Sequence, residues 1–404
     1  MPRPYSGPLA AGGAHLGANG HGHHDTTGFQ WALSGNGRRP IRPSFPWMER
    51  LFHASDRAHE DPGPLPRGGI SPSGAGRSDG SDVGTPRSRE HPGGPDFSHA
   101  VPKGGYIWWY VDGISDDDSN AITLIAFVGS VFSPYYAVAR GLGNDDPENH
   151  CALNVALYGR SSKHWTLTER TRTDLDRSAR AIRIGPSRLE WDGEALTIFI
   201  EEITVPLPAR VVGTVRVYPQ SLVQRAFALD ADSHHHWHPV APRARIEVKM
   251  KQPDLEWSGH AYVDSNFGNE PLEAGFVEWD WMRAKIGPNT AVLYDVIPRR
   301  SQPASLGLLF DPQGGVEEIP APVRGRLPST LWRVARHARS ENGPPTLIKT
   351  LEDTPFYNRS LVSAAIGGTE TTWVHESLSL DRFANPVVRA MLPFRMPRRR
   401  WRRT

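Results

Sequence analysis

From residue 104 onward the chain is built of short runs of branched and aromatic side chains, punctuated by Gly, Pro, Asn and Asp at intervals typical of strands and tight turns. The runs at 106–112, 122–131, 152–158, 196–203, 211–218, 244–249, 258–266, 276–282, 291–297, 305–310 and 371–378 predict strands, and no long segment sustains the apolar period of a helix. So many strands with hairpin-length gaps predict an all-β protein, and their number exceeds what one small barrel needs. Two antiparallel β-barrel domains are expected, 101–242 and 243–390, divided near the prolines at 239 and 242 and followed by a tail at 391–404. The uncharged stretch 121–139 is long enough to cross a bilayer, but Gly129, Ser130, Ser133 and Pro134 interrupt it. Its Ile, Val, Thr, Phe and Tyr content suits two buried strands joined by a turn.

Residues 1–100 have a different texture. Gly, Pro, Ser, Arg, Asp and His dominate with few aliphatics, a composition that cannot bury enough apolar surface to offset chain entropy, so a disordered extension is expected. One apolar island, 43–52, suits either a short docking element or a stray cluster. The start of the chain lacks the basic-then-apolar pattern of a secretory signal, and the single cysteine, Cys151, excludes an intrachain disulfide framework, so a cytoplasmic location is expected. Lys plus Arg (46) nearly balance Asp plus Glu (44), leaving no global electrostatic reason for a nucleic-acid partner. The basic character is local: 395–404 carries six arginines around Trp401, a tail that either contacts anionic lipid at a membrane surface or is simply solvated.

Candidate chemistry concentrates in three places. Along 258–267, alternation puts His260, Tyr262, Asp264 and Asn266 on one strand face and Gly259, Ala261, Val263 and Ser265 on the other. Such a face is either a binding surface or a structural polar network. The run His234-His-His-Trp-His238 offers imidazoles at alternate positions, which raises a metal site, but no cysteine or carboxylate motif accompanies it, and none is assigned. Finally, Val277, Trp279 and Trp281 share a face opposite Glu278 and Asp280, and Trp108, Trp109 and Tyr110 form a second aromatic group. Both suit core packing, and both suit a site that handles a carbocation, because ring faces attract positive charge.

Taken together, Gly259-His-Ala-Tyr-Val-Asp-Ser-Asn-Phe-Gly-Asn-Glu-Pro271, the upstream His235-His-Trp-His-Pro239, Phe127-Val-Gly-Ser-Val-Phe-Ser-Pro-Tyr-Tyr136 and Glu376-Ser-Leu-Ser-Leu-Asp-Arg-Phe383 resemble the carotenoid 1,2-hydratases, also called hydroxyneurosporene synthases. The resemblance covers 104–395 and leaves out the first hundred residues. It implies a pair of lipocalin-like barrels and the addition of water to the terminal double bond of acyclic carotenoids such as neurosporene and lycopene, without a redox or metal cofactor. It further implies Asp264 as the acid, supported by Tyr262, Trp237 and His235. Protonation at C2 would leave a tertiary cation at C1 for water to capture, with His235, if close, orienting or deprotonating that water. A carboxyl group acting as an acid at pH 7 needs its pKa raised about three units, roughly 4 kcal/mol, which an apolar cavity can supply. A lipid-soluble substrate also favours peripheral contact with the inner membrane surface. The competing reading is a lipocalin-like carrier that binds a carotenoid or another lipid without transforming it.

Overall fold

A computed structural model of the chain describes residues 93–159 and 163–401. The 1–92 extension, with its apolar island and its first histidines, lies outside them. Among the described residues the fold is mostly antiparallel β-structure. The first sheet holds β1 (Tyr106–Ser115), β2 (Ala121–Val128), β3 (Cys151–Tyr158), β4 (Lys163–Arg170), β5 (Leu175–Arg177) and β6 (Ala181–Ile184). It continues with β7 (Ser187–Trp191), β8 (Leu196–Ile203), β9 (Arg210–Pro219), β10 (Phe227–Ala228), β11 (His235–Gln252) and β12 (Asp254–Gly268). Their order runs β4-β3-β2-β1-β12-β11-β9-β8-β7-β6-β5, with β10 beside β11. The sheet curls until β4 reaches β8, where Arg170 and Glu202 pair at 3.3 Å.

The second sheet takes β13 (Phe276–Ile286), β14 (Asn289–Pro298), β15 (Ala304–Phe310), β16 (Val316–Glu318), β19 (Thr346–Asp353), β20 (Tyr357–Ile366) and β21 (Thr369–Ser379) in the order β16-β15-β14-β13-β21-β20-β19. A separate hairpin pairs β17 (Val323–Arg326) with β18 (His337–Ser340).

Alternation decides what each strand buries. On β1, Ile107, Trp109 and Val111 enter the core inside the first sheet together with Ala261 and Val263 of β12. Tyr106, Trp108 and Tyr110 point the other way, into a second core shared with Trp279, Trp281 and Tyr294 of the second sheet. Met282, Leu293, Val362 and Trp373 form a third core on the far face of the second sheet. Burying each such large side chain is worth about 1.5–3 kcal/mol, so the aromatic layer between the sheets is a principal source of their cohesion.

Three expectations are corrected. The first sheet does not end at 239–242, because β11 runs through both prolines and β12 pairs along it. The ladder shifts register between His238 and Ala241 and again between Ala241 and Ala244. Proline, which lacks the donor N–H, is tolerated at such bulges, so here it marks an irregular strand and no boundary. The change of sheet comes between Gly268 and Phe276, through the short helix α2 (Leu272–Gly275).

Second, only the first half of 121–139 is a strand. Gly129, at φ +70°, turns the chain where a Cβ would meet the Gly105 carbonyl at 2.5 Å. Ser133 then caps the helix α1 (Pro134–Gly141) by accepting from the Tyr136 N–H at 2.9 Å, with Pro134 in the first turn.

Third, the arginine-rich tail is packed as far as Trp401 and is not simply solvated. Arg398 bridges in parallel to Glu169 and pairs with its carboxylate, and Arg395 lies 4.7 Å over the Trp165 ring. Arg399 and Arg400 stay exposed. No helix among the described residues is long and apolar enough to cross a membrane.

Candidate active site

The polar face of β12 looks into the aromatic layer between the two sheets. Antiparallel pairing sets Tyr110 of β1 opposite Asp264, and Asp112 opposite Tyr262. Across the other edge, Trp237 of β11 pairs with Asn266. This register brings Trp237, Tyr262 and Asp264 together: Asp264 Oδ2 accepts from Trp237 Nε1 and from the Tyr262 hydroxyl, each at 2.9 Å. Asp264 is 5% exposed, and Trp237 and Tyr262 are fully buried. Its second oxygen, Oδ1, is buried without a hydrogen-bond partner, and none of the ion pairs among the described residues involves it. Loss of water around the carboxyl pushes its pKa up to about 8, against the pull of the two neutral donors, with the Glu376 and Asp112 carboxylates adding to the rise. A carboxylic acid in this setting holds its proton at pH 7.

A cavity of about 240 Å³ is lined by Tyr110, the strand partner of Asp264, and by none of the three residues of the triad. Its wall is mainly aromatic and aliphatic, with Trp108, Phe127, Phe132, Trp165, Trp279 and Phe356 among the lining side chains. Pockets that enclose a whole small molecule usually run to about 300–1,000 Å³, so this one has room for one end of a long chain. Its exposed lining residues, Met391 and Arg395, mark the mouth. Trp108 and Tyr110 stand on the wall, and Asp264 lies one strand behind Tyr110.

Polar groups on the inner wall belong to a connected network between the sheets. The Tyr110 hydroxyl donates to Glu376 Oε1 at 3.0 Å and lies 3.1 Å from Asp112 Oδ2. Arg359 reaches the Tyr110 hydroxyl at 2.6 Å, Glu376 at 2.5 Å and Asp112 at 3.1 Å. Arg283 completes the set by pairing with Asp112. Glu376 appeared in the sequence only as part of a family-like motif, and Arg359 not at all. The one available signal was a glutamate set between Val374 and Leu378 on one face of β21.

His235 is placed elsewhere. Its Nδ1 is 2.9 Å from the Tyr106 hydroxyl and its Nε2 is 3.2 Å from Glu270, so both ring nitrogens are engaged away from Asp264. Gly268 and Gly275 clamp the ring so closely that a Cβ on either would collide with it. Burial lowers its pKa, which keeps the imidazole neutral. The remaining imidazoles of the run turn to separate partners: His234 to Asn269 at 2.8 Å, His238 to the Val223 carbonyl at 2.7 Å, and His236 flat against Phe267. Trp279 and Trp281 do face inward together, Trp281 at 5.4 Å from Tyr262, while Asp280 is buried on the opposite face with Arg324.

Similarity to known proteins coincides with this body of the chain. The family described as carotenoid hydratase CrtC matches residues 124–404. An acyclic carotenoid 1,2-hydratase of Thiocapsa roseopersicina is 52% identical over 377 residues, covering 93% of each chain. A protein of the same description from Rubrivivax gelatinosus is 48% identical over 379 residues, again 93% of each. That coverage is more than residues 101–404 alone could supply, so the similarity reaches into the N-terminal extension, which was expected to lie outside it. A third, from Cereibacter sphaeroides, is 39% identical over 278 residues, 68% of this chain and 98% of that protein.

Proposed function

The chain belongs to the carotenoid hydratase family, and from that premise we propose that Asp264 is the acid with which it adds water to the terminal double bond of an acyclic carotenoid. The observation that carries this reading is the environment of Asp264: a buried carboxyl, held by two neutral donors and no cation, one strand behind the wall of an apolar cavity. A carrier of the same shape has no use for such a group. A hydratase needs one, because an unactivated alkene accepts a proton only from a competent acid.

Hydration places H on C2 and OH on C1 with no net oxidation or reduction, so a carboxyl and a water supply its chemistry. The Asp264 proton passes to C2, the alkene pair forms the new C–H bond, and C1 is left as a tertiary cation. Trp237 and Tyr262 meet the acid through their in-plane N–H and O–H, with Trp281 packed 5.4 Å from Tyr262, and these rings stabilise that charge in a site without bulk water. Trp237 and Tyr262 also fix the carboxyl through Oδ2, leaving Oδ1 as the free edge. His235, fixed between Tyr106 and Glu270, acts by holding β11 against the turn that follows β12. The chain end must pass Trp108 and Tyr110 to reach Asp264, so entry of substrate displaces aromatic side chains at the inner wall.

Lycopene and neurosporene are the proposed substrates. Incubating the purified full-length chain with lycopene should yield products heavier by one water, or by two if both ends are taken. Unchanged mass would defeat the reading. The rate should also fall about tenfold per pH unit above pH 8, as Asp264 loses its proton; a profile flat from pH 7 to 10 would contradict it.

The cavity mouth supports a peripheral membrane contact. Leu331 and Phe394, 89% and 78% exposed, sit next in sequence to Trp332 and Arg395 of the lining, and Met391 adds a third exposed apolar side chain. Exposed Arg333, Arg399 and Arg400 accompany them. Apolar residues at a rim flanked by cations suit an anionic bilayer from which a polyene end slides directly into the cavity. A Leu331→Asp, Phe394→Asp double variant should bind anionic vesicles about tenfold more weakly, the loss of roughly 1.4 kcal/mol of apolar contact, while hydrating detergent-dispersed lycopene at the parent rate. Undiminished co-sedimentation would remove this surface from the account.

A further inference from the structure

The capture of the cation needs a second group that the acid does not provide. Once Asp264 has given up its proton, a water lone pair must form the C1–O bond and one O–H proton must leave. His235 has both nitrogens occupied away from Asp264. Two glutamates line the cavity, Glu352 and Glu376. Glu352 pairs with Lys163 at 2.8 Å and accepts from Tyr158 at 3.1 Å, and neither partner is a strand neighbour of Asp264. Glu376 accepts from Tyr110, the residue paired directly with Asp264 across β1 and β12. We infer that Glu376, oriented by Tyr110 and Arg359 on the cavity wall, is the base that takes the proton of the attacking water.

Opposite surroundings assign the two carboxyls their roles. Asp264 meets only neutral donors, which leaves its proton in place. Glu376 touches the Arg359 guanidinium, which favours the ionised form. Facing Glu376 are Tyr110 and Asp112 from β1, Asp264 from β12, Tyr294 from β14, and Tyr357 and Arg359 from β20. Burial and the acidic neighbours raise its pKa, while Arg359 and the Tyr110 hydroxyl oppose the rise. That balance gives a base stronger than an ordinary carboxylate. The network is not explained as a mere tie between sheets, because Asp112 with Arg283 and Arg359 already makes that tie, at 1% exposure. Glu376 is the carboxylate of this network that reaches the apolar cavity, where an ionised group is costly unless it is used.

The atoms balance. The Asp264 proton goes to C2, the water oxygen bonds to C1, the released water proton goes to Glu376, and the product is a tertiary alcohol. Transfer of that proton back to Asp264 through water resets both groups.

This inference rests on Asp264 as the acid, and the test separates the two. In the full-length chain, Glu376→Gln keeps the contact with Tyr110 and should lower kcat about 100-fold, with KM changed less than threefold. The loss of rate at low pH, where Glu376 takes up a proton, should disappear from its profile. Glu376→Ala supplies the second readout. Azide attacks a carbocation with no proton to lose, so adding azide should restore turnover as a 1-azido carotenoid, seen by mass, with its anion admitted beside Arg359. Asp264→Asn should give no azido product, since it forms no cation. A Glu376→Gln chain with kcat within twofold of the parent, or a folded, carotenoid-binding Glu376→Ala chain without azido product, overturns the base. An active Asp264→Asn chain overturns the acid instead.

Discussion

Replacing Asp264 by Asn should stop hydration and at the same time make the fold more stable. Loss of a general acid costs about 10²–10⁴-fold in rate, and more where no water can replace it in a dry site. The stability change has a definite sign. In the unfolded chain this carboxyl ionises near 3.8, and in the fold it stays protonated to about 8. Below pH 3.8 both states hold the proton and nothing is gained or lost. Between the two values unfolding releases a proton, so each pH unit costs the fold about 1.4 kcal/mol. At pH 7 the penalty approaches roughly 4 kcal/mol, and above pH 8 it is complete. Asn has nothing to ionise, and its carbonyl still accepts from Trp237 and Tyr262. Its NH₂ group replaces the bare Oδ1 and returns about 1–3 kcal/mol as an unsatisfied buried donor. Urea unfolding should therefore show the variant more stable than the parent at pH 8, with the advantage shrinking as pH falls and reversing near pH 4, where only the unsatisfied donor remains. A variant equally active, or less stable at pH 8 than at pH 5 relative to the parent, would place Asp264 in a different environment from the one described.

Arg359→Met should destabilise the fold by about 3–5 kcal/mol, because it strips the cation from a buried cluster and leaves Glu376 unpaired. Asp112 retains Arg283, so the damage falls on Glu376. With its guanidinium gone, Glu376 holds its proton to a higher pH in the fold than in the unfolded chain, so the loss should grow as pH rises through that interval. Adding Glu376→Gln to Arg359→Met should recover part of the stability, as a neutral pair replaces an orphaned charge. Unfolding curves for the two single variants and the double variant measure this coupling. Strict additivity of the two would mean that they do not act on each other.

Much of the fold was legible in the residues. Alternation identified β1, β12 and β13, and it assigned Tyr262 and Asp264 to one face, because a pleated strand has no other way to place i and i+2. It failed at 121–139, where the same apolar content serves a strand and then a helix. Ser133 and Pro134 decide the matter there through a cap that only the local backbone reveals. It failed again at Pro239 and Pro242, because a proline in a bulge and a proline in a linker look identical in one dimension.

The sequence by itself determined the all-β class, the face on which Asp264 lies and, through its motifs, the family to which the chain belongs. Only the tertiary structure decided which groups meet there. Trp237 reaches Asp264 because β11 and β12 pair in one register, whereas His235, two residues earlier on the same face, meets Tyr106 and Glu270. Arg359 and Glu376 join Tyr110 from sequence separations of 249 and 266 residues. Strand periodicity carries no information about partners that distant. The acidity of a carboxyl depends on the groups that surround it in space, so the proton on Asp264 is a property of the assembled sheets.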